Sequence, residues 1–313
     1  MKIIDFEAIK NLEIKPSECV NWVIEAFKLK HQSILPPKIS TKIKGNIFFN
    51  TMPCLIPEIN KFSVKEVYRY PLNTPSLISE IMLYDTFHGK LLAVMDGTWI
   101  TAMRTGAVAA VAISILKKEH AKNIGFIGLG NTARATLLCL LESNEESFFE
   151  ISLLVYKDQH LSFIDRFKKY KNVRFTTFDT QEMLIRNSDV IVSCVTSSDQ
   201  LMGEDEWYKE GVLVVPVHTR GFQNCDLFFD KVFVDDIDHV KNFKYFSSFK
   251  SVEELSNVIL EKVAGRESEK ERIIAYNIGI ALHDTYFASQ IYNRINTNLA
   301  DFSLESPIAK FWI

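Results

Sequence analysis

The sequence contains little glycine and few cysteines. Only 12 of its 313 residues are glycine, about half the usual share of roughly 7%. Three of these glycines nevertheless fall close together, at Gly125, Gly128 and Gly130, so we expect the backbone to require them there. The five cysteines are odd in number and form no CxxC pair, which argues against a disulfide framework and against a zinc site. We expect them to be small core residues.

An excess of one charge sign and a long apolar run are also missing. The 36 basic residues nearly balance the 39 acidic ones, for a net charge of −3, and the lysines are scattered. This pattern disfavours a nucleic-acid partner. We expect no apolar run of the roughly 18 residues that span a bilayer, and residues 1–11 are expected to be too charged for a signal peptide. We therefore expect a cytoplasmic protein without a membrane or nucleic-acid partner.

The remaining composition is typical of a globular protein with two domains. Hydrophobic residues make up 47% and charged residues 24% of the chain, close to the globular average. The first part of the chain predicts a helix, four short strands of which the last two form a hairpin around Gly89, and a long alanine-rich helix. These elements are expected at residues 16–28, 45–49, 63–70, 79–85, 91–96 and 99–118.

After about residue 120 the pattern changes to an alternation of strands and helices. Such alternation favours a parallel sheet covered by helices. We also predict a helix at residues 252–263, which ends at Gly265. A last helix is predicted at residues 277–296 and is expected to pack back on the first domain. The strands are expected at residues 124–127, 151–156, 173–178, 190–195, 213–217 and 232–234.

A glycine-rich loop joins the first of these strands to its helix. Gly128 and Gly130 form the start of a G-x-G-x-x-A pattern in which the second glycine lets a pyrophosphate approach the backbone, and Ala133 permits close helix packing. The start of the next helix would face the phosphates with free N–H groups. The loop therefore predicts an NAD(P) site, and Thr196, after a later strand, is expected to border the cofactor. The loop residues expected to bind are Gly128, Gly130, Asn131, Thr132 and Ala133.

The second strand of the alternating region bears on the choice of cofactor. A basic residue at its tip would accept the 2′-phosphate of NADP, whereas an acid would bind the ribose hydroxyl of NAD. Lys157 stands at the predicted tip and Asp158 follows it. This order favours NADP slightly, with a solvated loop lysine as the alternative.

These features predict an α/β protein with two domains. Residues 119–271 would form a Rossmann-type NAD(P)-binding domain, and residues 1–118 with 272–313 a second, α+β domain for substrate binding and dimerisation. A dinucleotide fold alone does not specify a reaction, so the chemistry must come from the other domain.

A second motif lies where the first domain's last strand leads into the alanine-rich helix. Residues 95–107 follow the pattern M-D-x-x-x-I-T-x-x-R-T-x-A. In this segment the chain resembles the ornithine cyclodeaminase/mu-crystallin family. The resemblance extends to Pro36-Pro37-Lys38, Met52-Pro53, Val64-Lys65, the glycine loop and residues 277–284.

The resemblance implies roles for several residues. Lys65 matches the family's active-site lysine, Arg104 the arginine that holds the substrate carboxylate, and Thr105 a residue close to the cofactor. A guanidinium can bind a carboxylate through two hydrogen bonds, and a partly desolvated lysine can transfer protons. Without the resemblance, Lys65 would be interpreted as part of a solvated face and Arg104 as a surface ion-pair partner.

The chain departs from the family pattern at two positions. Lys38 stands where the family commonly has arginine, which keeps the charge but loses the two-pronged hydrogen bonding. It is still expected to contact the carboxylate. Counting back from Gly221, His218 occupies the position of the cyclodeaminases' catalytic aspartate. A histidine can act as acid or base but does not supply a fixed negative charge, and the alternative is an ordinary loop residue.

The resulting hypothesis is an oxidoreductase that moves a hydride between NAD(P) and the α-carbon of a small amino or imino acid, with Lys65 and His218 as catalytic residues. One alternative is an ornithine cyclodeaminase-type ammonia-lyase acting on a diamino acid, and another is a non-enzymatic cofactor-binding or ligand-binding protein. The resemblance also implies a homodimer. No metal is predicted, and His283 and Asp284 on the last helix are expected to be structural.

Overall fold

Two β-sheets organise the chain. The computed structural model describes residues 1–195, 202–218 and 227–295, with 299, 301–304, 308 and 310. Within these residues one sheet has six strands and the other has eight. Helices lie between the strands of the second sheet, so the predicted α/β class is confirmed.

The six-stranded sheet comes from the first third of the chain and has the order β1-β6-β5-β4-β3-β2. All neighbours are antiparallel except β1 and β6, which are parallel. The predicted hairpin around Gly89 is confirmed, since β5 pairs antiparallel with β6. The strands are β1 (Lys2–Ile4), β2 (Ile39–Ile43), β3 (Ile47–Ile56), β4 (Lys61–Arg69), β5 (Leu77–Asp85) and β6 (Lys90–Asp96).

Three helices accompany this sheet, α1 (Phe6–Lys10), α2 (Pro16–Lys28) and α3 (Thr98–Leu116). Proline at the start of α2 suits a helix N-terminus, where its missing N–H costs nothing. Helix α3 is long and apolar enough to span a bilayer, with a mean hydropathy of 1.6, so the expectation that no such run exists is wrong. Most of α3 is buried inside the protein, as befits a core helix.

The eight-stranded sheet has the order β13-β12-β14-β11-β10-β7-β8-β9 and is parallel throughout, as predicted. Its strands are β7 (Asn123–Ile127), β8 (Phe149–Leu154), β9 (Val173–Phe178), β10 (Val190–Ser193), β11 (Leu213–Pro216), β12 (Lys231–Val234), β13 (Val252–Glu254) and β14 (Ile273–Tyr276). The remaining helices are α4 (Asn131–Ser143), α5 (Gln159–Phe167), α6 (Gln181–Asn187), α7 (Ile237–Val240), α8 (Leu255–Ile259) and α9 (Ala281–Arg294).

One expectation about the second half of the chain is corrected, and one domain boundary is proposed anew. The helix predicted at 252–263 is a strand, β13, followed by the short helix α8, because Val252 to Glu254 pair with β12. The domain boundary expected after residue 271 divides a sheet, because β14 is hydrogen-bonded between β11 and β12. We therefore propose that the second domain continues to Tyr276.

The last helix returns to the first domain. Helix α9 packs against β3, β4, α2 and α3, where the ring of Phe287 meets Trp22 edge-on at 5.0 Å between ring centres. Its start lies directly after β14 at the edge between the two sheets. This path brings the polar residues at the start of α9 against the inner face of the first sheet.

Candidate active site

A pocket of about 370 Å³ lies between the two domains. One side is the inner face of β3 and β4, another is the start of α3, and a third comes from the segments that follow β10 and β11. Ligands of parallel α/β sheets bind at this carboxyl edge of the strands. The lining includes four residues predicted from the sequence to be catalytic or to bind substrate, namely Lys38, Lys65, Arg104 and His218.

Lys65 and Arg104 share one buried carboxylate. The Nζ atom of Lys65 donates to Oδ1 of Asp284 at 2.8 Å, and Nε of Arg104 donates to the same oxygen at 3.0 Å. Lys65 and Asp284 are fully buried and Arg104 nearly so. Alternate residues of a strand share a face, so Lys65 on β4 points inward with its neighbours Ser63 and Val67, which are also buried.

The buried environment changes the protonation of this cluster. Burial lowers the pKa of Lys65 to about 8, although the carboxylate of Asp284 opposes the shift. Burial acts to raise the pKa of Asp284, but the charges of Arg104 and Lys65 outweigh it and hold that pKa below its usual range. Lys65 is therefore a group that exchanges a proton close to neutral pH while its partner stays ionised.

A third cation, Lys38, and a second carboxylate, Asp235, belong to the same charged cluster. Burial lowers the pKa of Lys38, with the nearby charge of Asp235 opposing the change. Asp235 is fully buried and accepts a hydrogen bond at Oδ2 from the backbone N–H of Gly279 at 2.5 Å. Gly279 has a φ of +91°, and a Cβ atom there would overlap the guanidinium of Arg104. Glycine at this position thus leaves room for the arginine.

His218 lies on the opposite side of the pocket, just beyond the end of β11. Its Nε2 is 2.6 Å from the hydroxyl oxygen of Ser193, the fully buried last residue of β10. The two strands are parallel neighbours and hold the serine and the histidine at the same sheet edge. A hydrogen bond to one ring nitrogen sets the orientation and the tautomer of an imidazole.

A second pocket of about 460 Å³ lies over the glycine loop. Gly128 and Gly130 line it, and Cys194 and Val195 line both pockets, which are therefore adjacent. Gly128 has a φ of +86°, and a Cβ atom there would lie 2.9 Å from the backbone carbonyl of Cys194. Only glycine allows the turn at position 128 to come this close to the backbone of Cys194.

The other residues predicted to bind the cofactor lie at different distances from the two pockets. Asn131 opens helix α4, Ala133 is fully buried behind it, and Thr132 and Thr105 line the first pocket. The resulting arrangement, with a helix N-terminus and an open glycine turn facing a cavity, fits a dinucleotide. Thr196 lies outside the residues that the structure describes.

Lys157 does not line either of these pockets. Strand β8 ends at Leu154, two residues earlier than predicted, and the side chains that reach the second pocket are those of Tyr156 and Gln159. Lys157 is exposed, has a left-handed φ of +50°, and holds its Nζ 5.4 Å from the centre of the Tyr156 ring. It stands beside the pocket on the same loop.

Sequence reasoning missed several polar residues of the site, including Asp235 and Ser193. Asp284 was expected to be structural, yet it is the common partner of Lys65 and Arg104. Asn50 and Arg69 line the first pocket from β3 and β4. A carboxylate on an otherwise apolar helix face was a signal for Asp284, whereas the alternation of β4 was a signal that Arg69 shares the face of Lys65.

Comparison with known proteins shows which family has this architecture. The chain matches the ornithine cyclodeaminase/mu-crystallin family over residues 4–298. It is 27% identical to the nodulation efficiency protein NfeD of Rhizobium meliloti, over 82% of this chain and 83% of that protein. It is also 27% identical to an alanine dehydrogenase of Archaeoglobus fulgidus, over 95% and 96% of the two chains.

A solved structure has the same fold. The Δ1-pyrroline-2-carboxylate reductase of Thermococcus litoralis, in complex with NADH and L-proline, superposes with a TM-score of 0.83 and 24% sequence identity. The superposition covers 94% of this chain and 97% of the reductase. The family match, which extends from the first strand through the last helix, leads to one conclusion: the chain belongs to the ornithine cyclodeaminase/mu-crystallin family.

Proposed function

We propose that the protein is an NAD(P)-dependent oxidoreductase that transfers a hydride to or from the α-carbon of a small amino or imino acid. The observation that carries the proposal is the adjacency of the two pockets, one over the glycine loop and one lined by Lys38, Lys65 and Arg104. When bound, NAD(P) supplies the hydride donor or acceptor. The similarity to dehydrogenases and reductases of amino and imino acids supports this reaction class.

The charges of the first pocket favour a substrate carboxylate. At the Lys65 end of the pocket, the three cations Lys38, Lys65 and Arg104 lie close to the two buried carboxylates Asp235 and Asp284. A negatively charged ligand group would balance the remaining positive charge, and a guanidinium provides paired donors for it. We assign Lys38 and Arg104 to the α-carboxylate.

Lys65 and His218 are the proposed proton-transfer groups. In the oxidative direction the α-hydrogen leaves the substrate as a hydride, the amine loses a proton, and a C=N bond forms. Neutral Lys65 can accept that proton, and its charged form returns it in the reductive direction. His218, oriented by Ser193, is the second candidate for holding a proton.

One assay separates this proposal from its alternatives. The purified chain is incubated with amino acids plus NAD⁺ or NADP⁺, and with cyclic imines plus the reduced cofactors, while nicotinamide absorbance and ammonia are followed. A lasting absorbance change supports hydride transfer. Ammonia release without a lasting absorbance change indicates a cyclodeaminase. If the wild type, Lys65→Ala and Arg104→Ala all bind the cofactor but none of them reacts with any substrate, the chain is a binding protein.

The preference for NADP remains a proposal. Lys157 stands on the loop whose Tyr156 and Gln159 line the second pocket, where a long cationic side chain can reach a 2′-phosphate. We expect Lys157→Asp to raise KM for NADPH at least tenfold and to lower KM for NADH. Lys171→Asp, on the loop before β9, is the control, and an unchanged ratio of the two KM values would contradict the assignment.

We also propose a homodimer formed through the outer face of the first sheet. Phe49 and Tyr68 stack there at 5.2 Å between ring centres, with Tyr70 edge-on to both rings. A cluster of partly exposed aromatic side chains is typical of an interface. Light scattering should give twice the monomer mass, and Tyr68→Lys should halve it, whereas Phe148→Lys, on an exposed site of the second domain, should not. The cytoplasmic location stays a prediction.

A further inference from the structure

The first pocket has a second polar end that the proposed reaction does not use. Three cross-strand pairs of β3 and β4 form its floor, Met52 with Lys65, Asn50 with Val67, and Phe48 with Arg69. Alternate residues of each strand face the same way, so the reacting end lies at Lys65 and the far end at Arg69. Residues 65 and 69 are four positions apart, so their Cα atoms are separated by roughly 13 Å. The guanidinium of Arg69 sits at the end of a long flexible side chain and can therefore reach back toward the Lys65 end.

Arg69 is a cation at this far end to which the described residues offer no partner. Its Nε atom is buried and has no hydrogen-bond partner, and within the described part of the chain no ion pair reaches its guanidinium. The Oδ1 atom of the neighbouring Asn50 is likewise buried and unpartnered. Buried polar groups are nearly always satisfied, so the Nε donor of Arg69 indicates a ligand group that accepts a hydrogen bond, whereas the Asn50 oxygen is an acceptor and calls for a donor.

The surroundings of Arg69 determine the kind of ligand group. The half-buried Phe48 and the buried Val67 line the pocket beside it, and apolar neighbours strengthen an ionic hydrogen bond by lowering the local dielectric constant. A guanidinium has only donors, in a fork that matches a carboxylate. The α-carboxylate is already assigned to Arg104 and Lys38 at the other end, so the anion at Arg69 must be a second one.

We infer that the substrate carries a second carboxylate on its side chain, which Arg69 binds. This inference rests on the proposed function, because it takes the α-carboxylate to lie at Arg104. The substrate class is thus an acidic amino acid, or the imino acid derived from one. Hydride transfer at the α-carbon is the same as proposed above, and Arg69 determines which side chain is accepted.

Matched substrates test the inference. We expect kcat/KM for L-aspartate or L-glutamate to exceed that for the isosteric L-asparagine or L-glutamine at least tenfold, with the preferred nicotinamide cofactor. In Arg69→Gln this ratio should fall close to one, and Arg69→Lys should retain part of it. Arg174→Gln, which alters an exposed arginine of β9, should keep the full ratio. A structural role for Arg69 would lower both rates alike and leave the ratio in place.

A binding measurement covers the case without turnover. Calorimetry compares the binding of succinate, which has two carboxylates, with that of butyrate, which has one on a carbon chain of the same length. We expect succinate to bind at least tenfold more tightly to the wild type, and the difference to vanish in Arg69→Gln. Equal binding of the two acids, or an acid-to-amide ratio that survives in Arg69→Gln, would overturn the inference. Turnover of neutral amino acids alone would leave the proposed hydride transfer standing and remove only the acidic substrate.

Discussion

The Nζ atom of Lys65 and the Oδ1 atom of Asp284 lie 2.8 Å apart, with neither side chain exposed to solvent. The contact joins strand β4 to the first turn of α9 across 219 positions of the sequence. A carboxylate at a helix N-terminus is favoured by the helix dipole, and here it also stabilises the charged form of a lysine that burial would otherwise neutralise.

Asp284→Asn should shift the protonation of Lys65. Without the carboxylate the pKa of Lys65 falls below its value of about 8, so the inflection in the pH profile of kcat/KM moves to lower pH. Loss of one partner of a buried ion pair also destabilises the fold, on the order of 3 kcal/mol, as measured by urea unfolding. Asp165→Asn, in an exposed pair with Lys168, is the control. An inflection at the wild-type pH would refute the coupling.

The wild-type enzyme should lose imine reduction above pH 8. Lys65 is protonated below its pKa of about 8 and neutral above it, and reduction requires the proton. The value of kcat/KM for reduction should therefore fall roughly tenfold per pH unit above 8, whereas that for amine oxidation rises up to pH 8 and levels off. Lys65→Gln should abolish this inflection together with most of the activity. A flat profile in the wild type would exclude Lys65 as the proton donor.

Gly279→Ala should weaken substrate binding more than its backbone strain explains. The new Cβ would displace the Arg104 guanidinium, so we expect KM for the amino or imino acid to rise at least tenfold while cofactor affinity is retained. Gly45→Ala is a matched control, since Gly45 also has a positive φ, +79°, but nothing lies within 4 Å of an added Cβ. Similar KM values in the two variants would contradict a role for Gly279 in placing Arg104.

Gly128→Ala should block the cofactor. Its Cβ would lie 2.9 Å from the backbone of Cys194, so the glycine turn and the Cys194 wall of the second pocket would have to move apart. We expect the Kd for NADH or NADPH, measured by fluorescence, to rise at least tenfold. Gly89→Ala, at a positive φ of +64° with open space around it, carries similar backbone strain and should bind the cofactor normally. If Gly128→Ala binds as tightly as Gly89→Ala, the cofactor does not occupy this loop.

Ser193→Ala should act through His218. Loss of the hydroxyl that lies 2.6 Å from Nε2 frees the ring to turn, and we expect kcat to fall about tenfold with little change in KM. In a His218→Ala background the same change should have no further effect, because the two residues then belong to one unit. Additive losses in the double variant would separate the serine from the histidine.

Local sequence patterns were sufficient to predict several helices and strands and insufficient to predict others. Helix α2 has the bounds that its opening Pro16 and apolar spacing predict. Strand β2 was missed because all five of its side chains are exposed, so no alternation marks it. Strand β14 has only four residues and lies buried between β11 and β12, and nothing in so short a run reveals its neighbours.

The sequence by itself determined the glycine loop of the cofactor site, because the order of a strand, two glycines and a helix is a local signal. It also indicated Lys65 and Arg104, through a family resemblance. Only the tertiary structure decided that Asp284 joins these two cations and that Arg69, at the far end of their pocket, has no partner among the residues that the structure describes. Strand register and the return of α9 bring these groups together, and contacts between residues so distant along the chain leave no local pattern.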